Sequence, residues 1–228
     1  MRATLRTFVA ELIGTFALTF VGGAAIMSTR GTEAGSGLII AALAHGLILS
    51  LMITAFMRVS AAFNPAVSLA LAVTRTISPM TFVVHLAAQL TGAVLAAMAL
   101  KANMPPEAVA ATRIGGQQVS TLITTGQALF LEGTATFFLV TMVFGTAVDP
   151  KGPKVGGFGI GLTFAADILA IGGLTGASMN PARSFGPAFV SGIWEGHAIY
   201  WIGPMVGGAL AALLYQFLFK SGDDVATS

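Results

Sequence analysis

The chain has 228 residues, enough for one or two domains of average size, but its composition excludes a soluble protein. Charged residues make up 9% of the chain, against about 25% in soluble domains. Hydrophobic residues reach 55%, and the mean hydropathy is +0.86. So few charges cannot cover a soluble surface, and we expect the lipid bilayer to surround the chain. The net charge of +2 is too small for a phosphate-binding surface, so no nucleic-acid partner is expected.

Residues that carry chemistry are scarce. The absence of cysteine excludes disulfides and thiol chemistry. His45, His85 and His197 lie far apart in sequence and form no metal-ligand motif. The sequence also lacks a Ser/His/Asp set, a phosphate-binding loop and a dinucleotide fingerprint. We therefore expect no enzyme activity, no catalytic residues, no metal and no other cofactor.

Six stretches are long and apolar enough to cross the hydrocarbon layer, which takes about 20 residues of helix. The connection Lys101–Thr125 is the one long loop, and the polar end Ser221–Ser228 is expected to be disordered. The predicted spans are Leu5–Met27, Leu38–Met57, Pro79–Leu100, Gly126–Val148, Val155–Gly173 and His197–Lys220.

Six spans put both termini on the same side of the membrane. If that side is the cytoplasm, its segments hold seven basic residues against three in the outer loops, with Arg183 set aside. Basic residues favour the cytoplasmic side, so we predict a multi-pass protein of the cell membrane with both termini cytoplasmic. The seven are Arg2, Arg6, Arg58, Arg75, Lys151, Lys154 and Lys220, and the three are Arg30, Lys101 and Arg113.

The second half of the sequence repeats the first. Each half holds three spans, an odd number, so the second copy enters from the opposite face. This predicts an inverted repeat, about 5–100 and about 126–220, within a single transmembrane domain, 1–228. The matched sites are Asn64-Pro65-Ala66 with Asn180-Pro181-Ala182, Glu11 with Glu132, Thr15 with Thr136, and Gly92 with Gly207.

Both Asn-Pro-Ala sites lie in apolar stretches too short to cross the membrane, which is typical of re-entrant segments. Asparagine is a favoured N-cap and proline a favoured first residue, so short helices are predicted from Pro65 and over Pro181–Val190. Symmetry brings their N-termini together near the midplane, each with about +0.5 charge. With the side chains of Asn64 and Asn180 they form a positive belt that disfavours cations and leaves neutral molecules unopposed.

With these motifs the chain resembles the aquaporin, or major intrinsic protein, family over nearly its whole length. The strongest stretch is Gly176–Pro187, supported by Phe63-Asn-Pro-Ala-Val-Ser, the two glutamates and Tyr200-Trp201. The resemblance implies an all-α, right-handed bundle of six transmembrane helices with two re-entrant half-helices. It also implies a homotetramer in which every subunit has its own pore.

In this family four residues form a second constriction on the outer side of the belt. The resemblance assigns it to His45, Ile168, Ala177 and Arg183. The water-selective pattern has phenylalanine on the second helix and histidine on the fifth. Histidine with isoleucine is instead similar to plant tonoplast intrinsic proteins and ammonia-permeable animal aquaporins. The resemblance thus implies a passive channel for water and ammonia, with hydrogen peroxide as a further solute, that excludes protons and ions.

Two features depart from the family pattern or extend it. The segment Val59–Phe63 is one residue shorter than the pattern and lacks its histidine. The gap is assigned to this loop, because the context Leu43–Leu47 around His45 fits the second helix. The outer loop at Gln117–Thr121 is a candidate to approach Arg183 and to add a fifth residue to this constriction.

Buried charges have structural as well as functional interpretations. Arg183 in an apolar stretch favours a functional role, and the alternative is an ion pair with Glu195. Glu11 and Glu132 are interpreted as structural acids that accept hydrogen bonds from the re-entrant backbones. For Asp167 two roles stay open, one in packing and one in shaping the pore.

Several rival functions stay open at this point. A strictly water-selective channel fits the same motifs, and a glycerol facilitator is disfavoured because Ser184 stands where those proteins carry aspartate. An ion-coupled secondary transporter also uses broken helices and inverted repeats, but needs coupling acids near the midplane. Saturable, ion-coupled flux would indicate the transporter. A pore closed by the Lys101–Thr125 loop is the remaining alternative.

Overall fold

The computed structural model describes residues 2–29 and 35–219, and within them six helices are long and apolar enough to cross a membrane. Between these helices lie two half-helices and one short surface helix. The spanning helices are α1 (Arg2–Ser28), α2 (Ser36–Phe56), α4 (Pro79–Asn103), α6 (Thr125–Val143), α7 (Phe158–Thr175) and α9 (Ile199–Phe219). The shorter helices are α3 (Pro65–Val73), α5 (Pro106–Ala111) and α8 (Pro181–Ser191), and α6 continues as a π-helical turn, Phe144–Val148.

Each predicted span coincides with one of the long helices, and the described ends differ by three residues at most when the π-helical turn is counted with α6. The fold class is therefore confirmed. Helix α5 was not predicted, because its six residues lie in the loop assigned to Lys101–Thr125. The predicted end at Lys220, the tail Ser221–Ser228 and Arg30 lie outside the described residues.

The two halves of the chain pack as pseudo-symmetric copies. Helix α1 packs along α4 in the first half, and α6 packs along α9 in the second. Helices α2 and α7 join the halves. The half-helices are exchanged, since α3 packs on α9 and α8 packs on α4. Each half-helix is thus held by the other repeat.

Small residues permit the close helix crossings. A Cβ at Gly92 of α4 would lie 2.4 Å from the Leu12 carbonyl oxygen on α1. At the matched position in the second repeat, a Cβ at Gly207 of α9 would lie 1.9 Å from the Gly133 carbonyl oxygen on α6. In a membrane, where hydrophobic burial between helices contributes little, such close backbone contact is a main source of packing energy.

The half-helices begin where local sequence dictates. Asn64 and Asn180 are extended N-cap residues, and Pro65 and Pro181 occupy the first helical position, where no amide donor is needed. Helix α8 is capped at its C-terminus by Gly192, which adopts a left-handed conformation (φ 78°) that is easiest for glycine. Side chains such as Leu47, Phe130 and Leu210 are exposed on the outer faces of the spanning helices, where lipid would cover them.

Candidate pore and its two constrictions

Two cavities approach each other from opposite faces of the bundle. The terminal vestibule, about 370 Å³, opens on the face where α1 begins and α9 ends. The filter vestibule, about 400 Å³, opens on the other face. The terminal vestibule is lined by residues that include Ser60, Asn64, His85, Phe164 and Asn180. The filter vestibule is lined by residues that include His45, Gly116, Gln118, Ile168, Gly176 and Arg183.

The two asparagines are bonded across the pseudo-twofold axis. The Asn64 side-chain oxygen accepts from the Ala66 amide at 2.8 Å, while its Nδ2 donates to the Met179 carbonyl at 2.7 Å. The Asn180 oxygen accepts from the Ala182 amide at 3.0 Å, and its Nδ2 donates to the Phe63 carbonyl at 2.8 Å. One N–H of each side chain is thereby used between the repeats, and the second is available to the terminal vestibule that both residues line.

Two buried carboxylates hold the backbone on the approach to each asparagine. Glu11 accepts from the amides of Ala62 (2.8 Å) and Phe63 (2.7 Å). Glu132 accepts from the amides of Ser178 (2.9 Å) and Met179 (2.8 Å). Phe63 and Met179 both have left-handed backbones, φ 51° and 52°, which non-glycine residues rarely adopt. The carboxylates thus fix the strained turns whose carbonyls receive the asparagine side chains.

His45 lies at the filter vestibule with its tautomer set by the backbone. Its Nδ1 lies 2.7 Å from the Ala41 carbonyl, one turn earlier on α2. A carbonyl can only accept, so Nδ1 carries the hydrogen and Nε2 of the neutral ring is an acceptor. The ring tip lies over Gly22 of α1, where a Cβ would be 2.0 Å from Nε2. Gly22, which the sequence analysis did not identify, provides the space that His45 fills.

Arg183 is buried on α8 and is held by the outer loop. Its Nη1 donates to the Ala177 carbonyl at 3.3 Å. The side-chain amide of Gln117 satisfies its neighbours when its oxygen accepts from the Arg183 guanidinium and its nitrogen donates to Ser184 Oγ at 2.6 Å. Glu195 is instead paired with Arg113 Nη2 at 3.0 Å, so the alternative ion pair for Arg183 was wrong.

A short hydrogen-bond chain links this constriction to the asparagine belt. Ser184 Oγ lies 2.5 Å from Ser178 Oγ, and the Ser178 hydroxyl donates to the Asn180 carbonyl at 2.9 Å. The hydroxyl hydrogen of Ser178 is donated to the Asn180 carbonyl, so the short bond between the two serines must be donated by Ser184. Ser184 therefore accepts a hydrogen bond from the Gln117 side chain. The Ser184 hydroxyl therefore donates one hydrogen bond and accepts another within this chain of side chains.

The loop that carries Gln117 is held in place by a backbone hydrogen bond and by close contacts at glycines. The Ser120 amide donates to the Leu174 carbonyl at 2.8 Å. A Cβ at Gly115 would lie 2.5 Å from Gly23 Cα, and one at Gly176 would lie 2.9 Å from Gln117 Cβ. These clearances bring Gln117 onto Arg183, as the sequence analysis anticipated for this loop, and leave the neighbouring Gln118 at the vestibule wall.

The remaining sequence-predicted residues lie nearby. Ile168 of α7 lines the filter vestibule, whereas Ala177 is fully buried and contributes its carbonyl to Arg183. Pro65, Ala66, Pro181 and Ala182 are buried in the first turns of α3 and α8. Asp167 is buried, and its Oδ2 has no hydrogen-bond partner among the described residues. Within those residues, no cluster of three or more metal-binding side chains is present.

Comparisons with known proteins agree on the family and the fold. The profile of the family "Major intrinsic protein" matches residues 1–215. The chain is 41% identical to aquaporin TIP4-4 of Zea mays, over 95% of this chain and 88% of that protein. It is 38% identical to the probable aquaporin TIP3-2 of Arabidopsis thaliana, over 94% and 84%. The X-ray structure of the aquaglyceroporin from Plasmodium falciparum superposes with a TM-score of 0.82 at 24% identity, covering 98% of this chain and all of that one.

Proposed function

We propose that this chain, which belongs to the major intrinsic protein family, conducts water and ammonia passively across a membrane while excluding protons and ions. Its family consists of channels for small neutral solutes rather than enzymes. The relatives named above are aquaporins, which supports water as one solute. Ammonia, and hydrogen peroxide as a further solute, rest on the residues of the filter vestibule.

The observation that carries the ammonia proposal is that His45, Ile168 and Arg183 line the same vestibule. Ammonia has three N–H donors and one lone pair. His45 Nε2 is an acceptor because Nδ1 is committed to Ala41, and the Arg183 guanidinium is a donor. Ile168 adds an apolar wall that offers water no hydrogen bond. This combination accommodates ammonia as well as water, whereas a wall of purely polar groups would favour water.

Ion exclusion rests on the asparagine belt and on Arg183. The first turns of α3 and α8 point their amide groups towards the pseudo-twofold axis, where Asn64 and Asn180 meet the opposite repeat. The two positive helix ends and the buried guanidinium oppose cations at two successive points. Solutes that carry no charge meet no such barrier.

The proposal is tested by stopped-flow light scattering on proteoliposomes that also contain a pH dye, read during an ammonium gradient. Empty liposomes are the control. The double variant His45→Phe, Ile168→His changes the filter to the water-selective pattern. Fast shrinkage with fast internal alkalinisation, the alkalinisation being lost in the double variant, is the expected result.

Other outcomes identify the alternatives. Fast shrinkage without ammonia flux would reduce the function to a strictly water-selective channel. Flux that saturates and follows an ion gradient would indicate a secondary transporter. Rapid glycerol entry would indicate a glycerol facilitator despite Ser184. Failure of folded protein to conduct either solute would contradict the proposal.

We also propose a homotetramer in the cell membrane with cytoplasmic termini. Family membership supports the tetramer, and the excess of basic residues on the terminal face supports the orientation. Light scattering of detergent-purified protein, and a reporter fused after residue 228 that is active only in the cytoplasm, test the two statements separately. A monomer in solution, or an inactive reporter on expressed protein, would contradict them.

A further inference from the structure

His85 lies in a closed circuit of side chains beside the terminal vestibule. Its Nε2 is 3.0 Å from Ser60 Oγ, and its Nδ1 is 3.0 Å from Ser68 Oγ. Ser60 donates to Glu11 Oε1 at 2.5 Å. Gln89 closes the loop, because its Nε2 donates both to Glu11 Oε2 (2.7 Å) and to Ser68 Oγ (2.9 Å). We call these five residues the Glu11 circuit.

The direction of every bond in the Glu11 circuit can be deduced when Glu11 is a carboxylate. Ser60 donates its hydroxyl hydrogen to Glu11, so Ser60 must accept a hydrogen bond from His85. The Nε2 atom of His85 therefore carries the ring hydrogen. Nδ1 of the neutral ring is then an acceptor and takes the hydrogen of Ser68. Ser68 in turn accepts from Gln89. The neutral Nε2–H tautomer of His85 therefore satisfies all the members at once.

The circuit joins three structural elements at the asparagine belt. Glu11 is on α1, His85 and Gln89 are on α4, and Ser68 is on half-helix α3, one turn after Asn64. The same Glu11 carboxylate holds the amides of Ala62 and Phe63. A change in the circuit therefore reaches both the half-helix and the strained turn before Asn64.

Protonation would reverse one bond of this circuit. A second hydrogen on Nδ1 faces Ser68 Oγ, which already accepts from Gln89 and would lose the acceptor for its own hydrogen. The cationic ring would also be drawn towards Glu11, whose Oε1 lies 3.9 Å from Nδ1. Protons can reach this point, since His85 and Ser60 both line the terminal vestibule.

Glu11 on α1 is the charged group that faces His85 among the described residues. On the re-entrant segment and α3 the facing groups are the uncharged Ser60 and Ser68. Arg58 and Arg75, which flank that segment, are exposed. On α8, Arg183 faces the filter vestibule, and on α5, Glu107 is exposed at the other end of α4.

We propose that His85 is a positioning residue that makes this channel sensitive to pH: the neutral ring holds α3 and the turn before Asn64 in the conducting arrangement, and protonation from the terminal vestibule releases them and lowers water permeability. The location of a histidine on α4 supplies a titratable group to a vestibule whose loop, Val59–Phe63, contains none. This inference rests on the proposed conduction of water.

The test compares water permeability at pH 7.5 and pH 5.0, with the same pH on both sides of the proteoliposome membrane. In the wild type the permeability should be roughly threefold lower at pH 5.0, because a lower pH favours the protonated ring and the lost hydrogen bond disturbs the pore wall. In His85→Gln the ratio should be close to one, since an amide can donate to Ser60 and accept from Ser68 but does not titrate. His197→Gln is the matched control, because the His197 side chain lies on the other face, where it accepts from Trp201 Nε1 (3.0 Å), and its replacement should keep the wild-type ratio.

A second measurement keeps the inference separable from the proposed function. The melting temperature of the purified protein should fall more between pH 7.5 and pH 5.0 in the wild type than in His85→Gln, whether or not water is conducted. Loss of flux at pH 7.5 with this difference preserved would contradict the proposed function alone. A wild-type flux that is the same at both pH values, or a His85→Gln variant that keeps the wild-type ratio and melting difference, would overturn the inference.

Discussion

The clearance between Gly22 and His45 predicts that a single methyl group on α1 will alter the filter. In Gly22→Ala the new Cβ would lie 2.0 Å from His45 Nε2, 2.3 Å from Cδ2 and 2.5 Å from Cε1. Ordinary van der Waals separation is about 3.5 Å, so the ring tip would have to move by roughly 1.5 Å. His45 is 1% exposed and has little room behind it. We therefore expect the ring to be displaced and its bond to Ala41 to be strained or broken, so that this bond no longer fixes Nε2 as the acceptor for ammonia.

The size of the effect follows from the bonds at stake. Overpacking of this kind costs about 1–3 kcal/mol, which a folded membrane bundle can tolerate. A hydrogen bond from ammonia to Nε2 contributes about 1 kcal/mol, and its loss would lower the ratio of ammonia to water permeability by about fivefold. Gly173→Ala is the matched control, because a Cβ there meets no atom within 4 Å.

The assay is the paired measurement of shrinkage and internal alkalinisation in proteoliposomes, with the amount of folded protein equalised by size-exclusion chromatography. A lower ammonia-to-water ratio in Gly22→Ala, with Gly173→Ala like the wild type, is the expected result. Equal ammonia-to-water ratios in the wild type and both variants, at equal yields, would refute the assignment of His45 to the filter and the argument from its contact with Gly22.

Three further outcomes are expected. Arg183→Val should keep water flux and raise the passage of larger solutes in liposomes, because the guanidinium narrows the filter vestibule; unchanged solute permeability would contradict this. Glu11→Gln should lower the yield of folded protein more than it alters selectivity, which expression and flux measurements on the same preparation separate. Tyr215 donates to Asp149 Oδ2 at 2.7 Å, and this bond is the main cause of the lowered pKa of Asp149. A lowered carboxyl pKa stabilises the fold above the ordinary value of about 4 and stops doing so as pH falls through the folded value, so Tyr215→Phe should lower the melting temperature at pH 7 but not at pH 2.

The sequence was most informative where structure is local. Hydropathy located the spanning helices, and the Asn-Pro pairs located the starts of α3 and α8, because capping and proline preferences act within one turn. The internal repeat predicted that the second half is inverted in the membrane, which cannot be deduced from any single segment. Helix α5 was not predicted because it begins at the second of two adjacent prolines and its six residues are too few to show an apolar period.

Contacts between distant segments could not be predicted in the same way. Gln117 reaches Arg183 only because Gly115 and Gly176 leave room for its loop, and Gly22 matters only because His45 lies over it. From the sequence, His85 was recognised only as belonging to no metal-ligand motif, since nothing in the sequence pairs it with Ser60 and Ser68. Such pairings depend on three-dimensional packing, and a single sequence carries no signal for them.

The two structural acids explain why the pore and the fold depend on the same bonds. Glu11 and Glu132 are fully buried, and each accepts two backbone amides from the turn before an asparagine. An amide in place of either carboxylate would turn a donor towards a backbone N–H, and an unsatisfied buried group costs about 1–3 kcal/mol. The turn would then release the carbonyl that receives the opposite asparagine. Because that carbonyl binds the asparagine of the other repeat, a defect at one acid is expected to weaken the junction of the two halves before it changes which solute passes.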